Sequence, residues 1–150
     1  QICYIPYMDL IFFPDTHPFD PDKSEAKDEV GDVGKEIKDL YRHRSDLYLR
    51  VKSFLKTLKK VTDIKPYLQS EQISKITQKY DGLYEMRIPK QRKGGVFRIY
   101  FCFSKTNRQK LILLCAELKQ KTKPMKLDNA LIKLKQYRED ENKEVHNEEH

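Results

Sequence analysis

After the Asp81-Gly82 turn the apolar residues change their spacing from every third or fourth position to every second, and this constrains the fold more than any other feature. In Leu83 to Ile88, Tyr84, Met86 and Ile88 share one face and Glu85 and Arg87 the other. In Val96 to Phe103, Phe97, Ile99, Phe101 and Phe103 share a face opposed by Arg98, Tyr100 and Cys102. A period of two is the mark of a strand. Lys110 to Leu118 is nearly continuous in apolar residues and reads as a mostly buried third strand, reached through a turn at Ser104 to Gln109. The links between the three are too short for crossover helices, so they must pair as antiparallel neighbours.

Before the turn the pattern is helical. From Val33, the positions Ile37, Leu40, Tyr41, Leu47, Tyr48, Val51, Phe54, Leu55 and Leu58 predict one amphipathic helix running to about Lys60. A short second helix is predicted from Ser70 to Thr77 with Ser70 as its cap, and Pro21 ahead of Asp22 to Glu25 is a helix-start signal. Asp9 to Phe13, stopped by Pro14 and Pro18, reads as a first strand, and Lys126 to Tyr137, with Leu127, Ala130, Leu131 and Leu134, as a closing helix. The order is strand-helix-helix-strand-strand-strand-helix: an α+β fold with a small antiparallel sheet and helices packed on one face. Residues 9–138 form the single domain, 139–150 an acidic mobile tail, and 1–8 a leader or expression-derived segment.

A chain of 150 residues argues against a multidomain enzyme or a long solenoid, and nine Tyr and seven Phe argue against disorder. The net charge of +7 is segregated. Residues 1–81 hold 14 basic and 14 acidic groups, residues 82–137 hold 14 basic groups against Glu85, Glu117 and Asp128, and residues 138–150 hold two against six. The basic surface therefore belongs to the strand-rich half, which suits an anionic partner such as nucleic acid. Cys3, Cys102 and Cys115 match no metal-ligand spacing and read as structural, and His17, His43, His146 and His150 are scattered, so no metal or other cofactor is expected. No apolar run approaches the roughly 20 residues that span a bilayer, and a soluble cytoplasmic protein with no membrane partner is expected.

With helices on one face, the other face presents Arg87 and Arg98 from adjacent strands, with Glu85 and Tyr100 beside them. Arginines projecting from mid-strand are rigidly held, and their guanidinium forks are pre-aimed at a phosphate. Further cations come from Lys90, Arg92 and Lys93 in the intervening turn and from Lys119, Lys121 and Lys123 at the exit of the last strand. Of these, Lys90, Arg92, Lys93, Tyr100 and Lys123 are nucleic-acid-binding candidates. The competing reading is a pair of surface arginines balanced by Glu85 and Glu117.

The run Leu83-Tyr84-Glu85-Met86-Arg87, then Val96-Phe97-Arg98-Ile99-Tyr100-Phe101, then Leu113-Leu114 leading to Lys119-Gln120-Lys121-Thr122-Lys123-Pro124, and finally Asn129-Ala130 to Tyr137, resembles the HigB-like branch of the RelE/ParE superfamily of type II toxins. The resemblance covers about residues 82–138. It implies a ribosome-dependent messenger-RNA endonuclease that needs no metal, uses the RNA 2′-hydroxyl as nucleophile, acts on mRNA on the ribosome and is restrained by a cognate helix-turn-helix antitoxin. By that similarity Arg87 and Arg98 would stabilise charge on the phosphorane oxygens. Lys119 or Lys121 would be acid or base, with Glu85 a second candidate for base. Some relatives use histidines, or a tyrosine near the closing helix, for proton transfer; this chain has no histidine between His43 and His146, and the strand exit aligns in more than one register. Two other functions remain open: a toxin of the same fold acting on DNA gyrase, and a non-catalytic nucleic-acid-binding module.

Overall fold

The computed structural model describes residues 8–14, 17–19, 31–90, 94–119 and 126–148. The alternating segments form one mixed sheet of six strands in the order β2-β1-β6-β5-β4-β3. These are β1 (Asp9–Phe12), β2 (His17–Phe19), β3 (Ile73–Thr77), β4 (Leu83–Ile88), β5 (Val96–Phe103) and β6 (Lys110–Lys119). The helices are α1 (Gly31–His43), α2 (Ser45–Lys60), α3 (Lys65–Gln69) and α4 (Leu127–Glu148). The α+β class and the antiparallel β4-β5-β6 meander are as the alternation requires.

Several details differ from expectation, each for a tertiary reason. The predicted 33–60 helix is two, because the backbone at Arg44 leaves the helical region (φ −143°, ψ 67°). There its guanidinium donates to the Gly94 carbonyl at 2.7 Å, tying the bend to the β4–β5 turn. Ser70 does not start a helix but closes α3, and Ile73–Thr77 is a strand paired antiparallel with β4. Three of its five residues are β-branched, and ladder pairing overrides the weak local helical pattern. The sheet is not wholly antiparallel: β1 runs parallel to β6, all the intervening elements serving as the crossover, and β2 hairpins back onto β1.

The helices also do not share one face. Phe97, Ile99, Phe101 and Phe103 pack with Val33, Ile37, Leu40, Leu47, Val51, Leu55 and Leu58 of α1 and α2. On the opposite face Leu83, Tyr100, Cys102, Ile112, Leu114 and Cys115 pack under Ala130 and Leu134 of α4. Because Tyr100 and Cys102 are apolar in bulk, that half of the second face needed a cover as well.

Residues 139–148, expected as a tail, instead continue α4. Glu141 is buried, accepts from the Ser104 hydroxyl at 2.9 Å and the Tyr137 hydroxyl at 2.7 Å, and pairs with buried Arg138 at 3.1 Å. Those polar contacts, invisible to a count of apolar residues, pin the helix to the β5–β6 turn. Met8, assigned to the leader, is core: it is buried among the α1 and α2 side chains, and its N–H donates to the Lys59 carbonyl at 2.8 Å. Residues 1–7 and the helix signal at 22–25 lie outside the described residues. At Gly31 the left-handed backbone (φ +74°) brings α1 so close to β1 that a Cβ would stand 2.8 Å from the Phe13 carbonyl oxygen.

Candidate functional site

On the face that α4 packs against, β4, β5 and β6 also carry the charged side chains. Register sets their rows: Arg87 lies opposite Arg98, and Arg98 opposite Glu117; in the next row Glu85 lies opposite Tyr100, and Tyr100 opposite Cys115. A bulge in β6 is required for this. The ladder slips between Tyr100 and Phe101, so Leu114 and Cys115, adjacent in sequence, both face α4. One extra residue inverts the alternation beyond it. Without the slip Glu117 would follow Leu113 into the α1–α2 core; with it, Glu117 joins Arg98.

Glu85 is the hub. It is 5 % exposed. Arg98 Nη1 donates to its Oε1 at 2.9 Å, and Arg87 Nε stands 3.7 Å from the same oxygen. Two guanidiniums thus converge on one carboxylate, which offsets their mutual repulsion across the ladder. The arginine heads remain reachable, with 24 % of the Arg87 side chain and 18 % of the Arg98 side chain exposed. Arg98 Nε is buried with no hydrogen-bond partner among the described residues. Arg87 Nη2 donates to the Glu71 carbonyl at 2.7 Å, a contact no side-chain pattern signals.

Glu117 forms the second anchor. The Tyr100 hydroxyl donates to its Oε2 at 3.2 Å and the Lys126 N–H, at the start of α4, donates to the same oxygen at 2.8 Å. A lone carboxylate inside the apolar run of β6 was the sequence signal for it. Tyr100 is fully buried, so it supports Glu117 from beneath and offers no surface to RNA, which removes it from the RNA-binding set. Burial first, then the Glu117 and Glu85 carboxylates, push its phenol well above the ordinary value of 10, so it stays a neutral donor.

Lys119 ends β6 opposite Val96. Its pKa is lowered, first by burial and then by Arg98, with Arg87 adding to the effect and Glu85 and Glu117 opposing it. Lys90 is exposed in the turn after β4. Arg92, Lys93, Lys121 and Lys123 lie outside the described residues. The structure therefore brings together Glu85, Arg87 and Arg98 on one patch, with Lys119 close enough to feel both arginines.

Chemically the patch offers two held guanidinium forks, suited to an oxyanion such as a phosphodiester. Among the described residues no group of three or more histidine, cysteine or acidic side chains could hold a metal, and no helix is long and apolar enough to cross a membrane. No curated protein and no solved structure matches the chain. The family described as phage-derived protein Gp49-like (DUF891) matches residues 27–138, taking in α1 through most of the buried part of α4 and every described member of the site. The match reaches well upstream of the strands that carried the resemblance, into the helical half, and on its extent the chain belongs to the phage-derived Gp49-like family, a toxin-like family of the RelE/Gp49 type.

Proposed function

We propose that this protein is a toxin of a type II toxin–antitoxin pair, of the HigB-like branch, that acts in the cytoplasm by cutting messenger RNA on the ribosome. The observation that carries this reading is the convergence of Arg87 and Arg98, from paired positions of adjacent strands, on Glu85 with part of each arginine side chain reaching solvent. A scissile phosphate lying over that pair meets two guanidiniums whose orientation is fixed before binding, the condition under which such donors lower a barrier most. The RNA 2′-oxygen attacks the adjacent phosphorus, the P–O5′ bond breaks, and a 2′,3′-cyclic phosphate and a free 5′-hydroxyl result. One proton leaves the 2′-hydroxyl and one reaches the departing 5′-oxygen.

In this scheme Arg87 and Arg98 hold the charge building on the phosphorane oxygens. Lys119, whose ammonium is made more acidic by its surroundings, moves a proton, a role it shares with Lys121 as an alternative. Glu85 is engaged by both arginines, and aligning them is the role that engagement supports over that of a base. Lys90, Arg92, Lys93 and Lys123 hold the flanking phosphates, and a cognate helix-turn-helix antitoxin is the restraining partner.

The test is induced expression of wild type, Arg87→Ala and Arg98→Ala, with message 5′ ends mapped by primer extension. New 5′ ends within codons for wild type, and at least tenfold fewer for each variant that remains folded by circular dichroism, are expected. Intact messages with altered plasmid supercoiling would instead assign a gyrase-directed toxin. RNA binding that weakens steeply with salt, without cleavage in a translating extract, would assign a non-catalytic binding module.

A further inference from the structure

Arg87 is held by two anchors, and the second of them is made by backbone. Glu71 has a left-handed conformation (φ 63°), which a residue with a Cβ adopts at a cost and which glycine usually supplies where a helix ends. It follows Ser70, the C-cap of α3, and its N–H donates to the Leu68 carbonyl at 3.2 Å. The flanks are fixed independently. Tyr67 of α3 packs edge-on against Phe54 of α2, and Ile73 of β3 is paired with Met86.

Between those fixed points the left-handed turn sets the plane of the Glu71–Gln72 peptide, whose carbonyl takes the Arg87 Nη2 hydrogen bond at 2.7 Å. The neighbouring Gln72 carbonyl accepts the Arg87 backbone N–H at 3.0 Å, and the Gln72 side-chain amide donates back to the Arg87 carbonyl at 3.5 Å. Both ends of Arg87 are therefore clamped by the α3–β3 link. Its ion pair with Glu85, at 3.7 Å, is too long to fix the guanidinium plane alone.

We propose that Glu71 is a positioning residue for Arg87, acting through its left-handed backbone and not through its carboxylate, so that the α3–β3 link aims the guanidinium at the RNA phosphate. This rests on the reading of Arg87 as a phosphate-binding group. It predicts a graded series. Glu71→Gly keeps the left-handed turn and Glu71→Gln keeps the backbone while removing the charge. Glu71→Val, β-branched, disfavours the turn.

The experiment measures binding of a fluorescent single-stranded RNA oligonucleotide by anisotropy, together with the Arg87 side-chain N–H resonances by nitrogen-15 NMR, in all three variants with and without Arg87→Ala. Glu71→Gly and Glu71→Gln should match wild type in both readouts. Glu71→Val should broaden or shift the Arg87 resonances and weaken binding roughly fivefold to tenfold, as Arg87→Ala does, with no further loss when the two are combined. The proposal is overturned if Glu71→Val leaves the Arg87 resonances unchanged, if it weakens binding as much in the Arg87→Ala background as outside it, or if Glu71→Gln alone reproduces the loss. If Arg87→Ala binds RNA as wild type does, the functional reading fails instead, while the resonances still decide whether Glu71 holds the guanidinium.

Discussion

Replacing Arg98 by alanine separates the folding role of this patch from its chemical role. Glu85 is 5 % exposed and loses its 2.9 Å charge-assisted hydrogen bond, keeping, among the described residues, Arg87 at 3.7 Å. Abandoning one partner of a fully buried ion pair costs about 3 to 5 kcal/mol. Here 18 % of the Arg98 side chain and 24 % of the Arg87 side chain reach solvent, so screening and the surviving Arg87 attraction reduce that to about 2 to 3 kcal/mol. With a urea slope of about 2 kcal/mol/M, the midpoint should fall by roughly 1 M, and the melting temperature by roughly 5 to 10 °C.

The second arm is Arg98→Met with Glu85→Leu. An apolar pair of similar bulk needs no counter-charge, so most of the lost stability should return, whereas the RNA-directed activity should not. Urea unfolding followed by far-ultraviolet circular dichroism, with tyrosine fluorescence as second probe because the chain has nine Tyr and no Trp, measures both arms against growth arrest on expression. Wild-type stability for Arg98→Ala would refute the account of Glu85 as a carboxylate that needs this guanidinium. A double variant no more stable than the single one would trace the loss to packing of the arginine stem. Recovery of both stability and toxicity would leave Arg98 no role beyond folding.

Burial pushes the thiols of Cys102 and Cys115 up to about 12, so neither should react with a maleimide at pH 8 until urea is added; modification in the folded protein would contradict that burial. Burial alone would raise the pKa of Glu141, but hydrogen bonds from Tyr137, Ser104 and the Lys105 N–H, with Arg138, outweigh it and hold the carboxyl below its ordinary 4.5. The stability this contributes is fully present above pH 4.5 and is lost as pH falls through the lower folded value. The urea midpoints of wild type and Glu141→Gln should therefore differ at pH 7 and approach each other by pH 3, and an unchanging gap would refute it.

What the sequence revealed tracks the kind of force involved. The β4-β5-β6 meander was legible because alternation reports burial on one face directly, and Arg87 and Arg98 could be placed on the other face from the same two-residue period. Ile73–Thr77 was not legible as a strand although its partner β4 is the next strand along the chain, since its burial does not alternate and local spacing fitted a helix equally well. The parallel placement of β1 beside β6 is a pure tertiary choice with no local signature. Helix α4 was cut short at Tyr137 because beyond it the anchors are polar: Glu141 and Arg138 are buried by satisfying one another and the β5–β6 turn.

The site follows the same logic at finer grain. Side chains that face outward from regular strand could be found, but the two features that turn them into a site are irregularities. One is the β6 slip that rotates Glu117 onto the Arg98 row; the other is the left-handed Glu71 that swings a carbonyl onto Arg87. Bulges and left-handed residues are positions where the backbone departs from what local pattern favours, and surrounding structure must hold them there. Here that structure is the sheet ladder on one side and the α2–α3 packing on the other, so the arginines inherit their rigidity from elements remote from the proposed phosphate. A single carboxylate between two guanidiniums then serves two ends: it makes their close approach stable, and it leaves part of each arginine side chain, 24 % for Arg87 and 18 % for Arg98, in contact with solvent, where the proposed phosphate would lie.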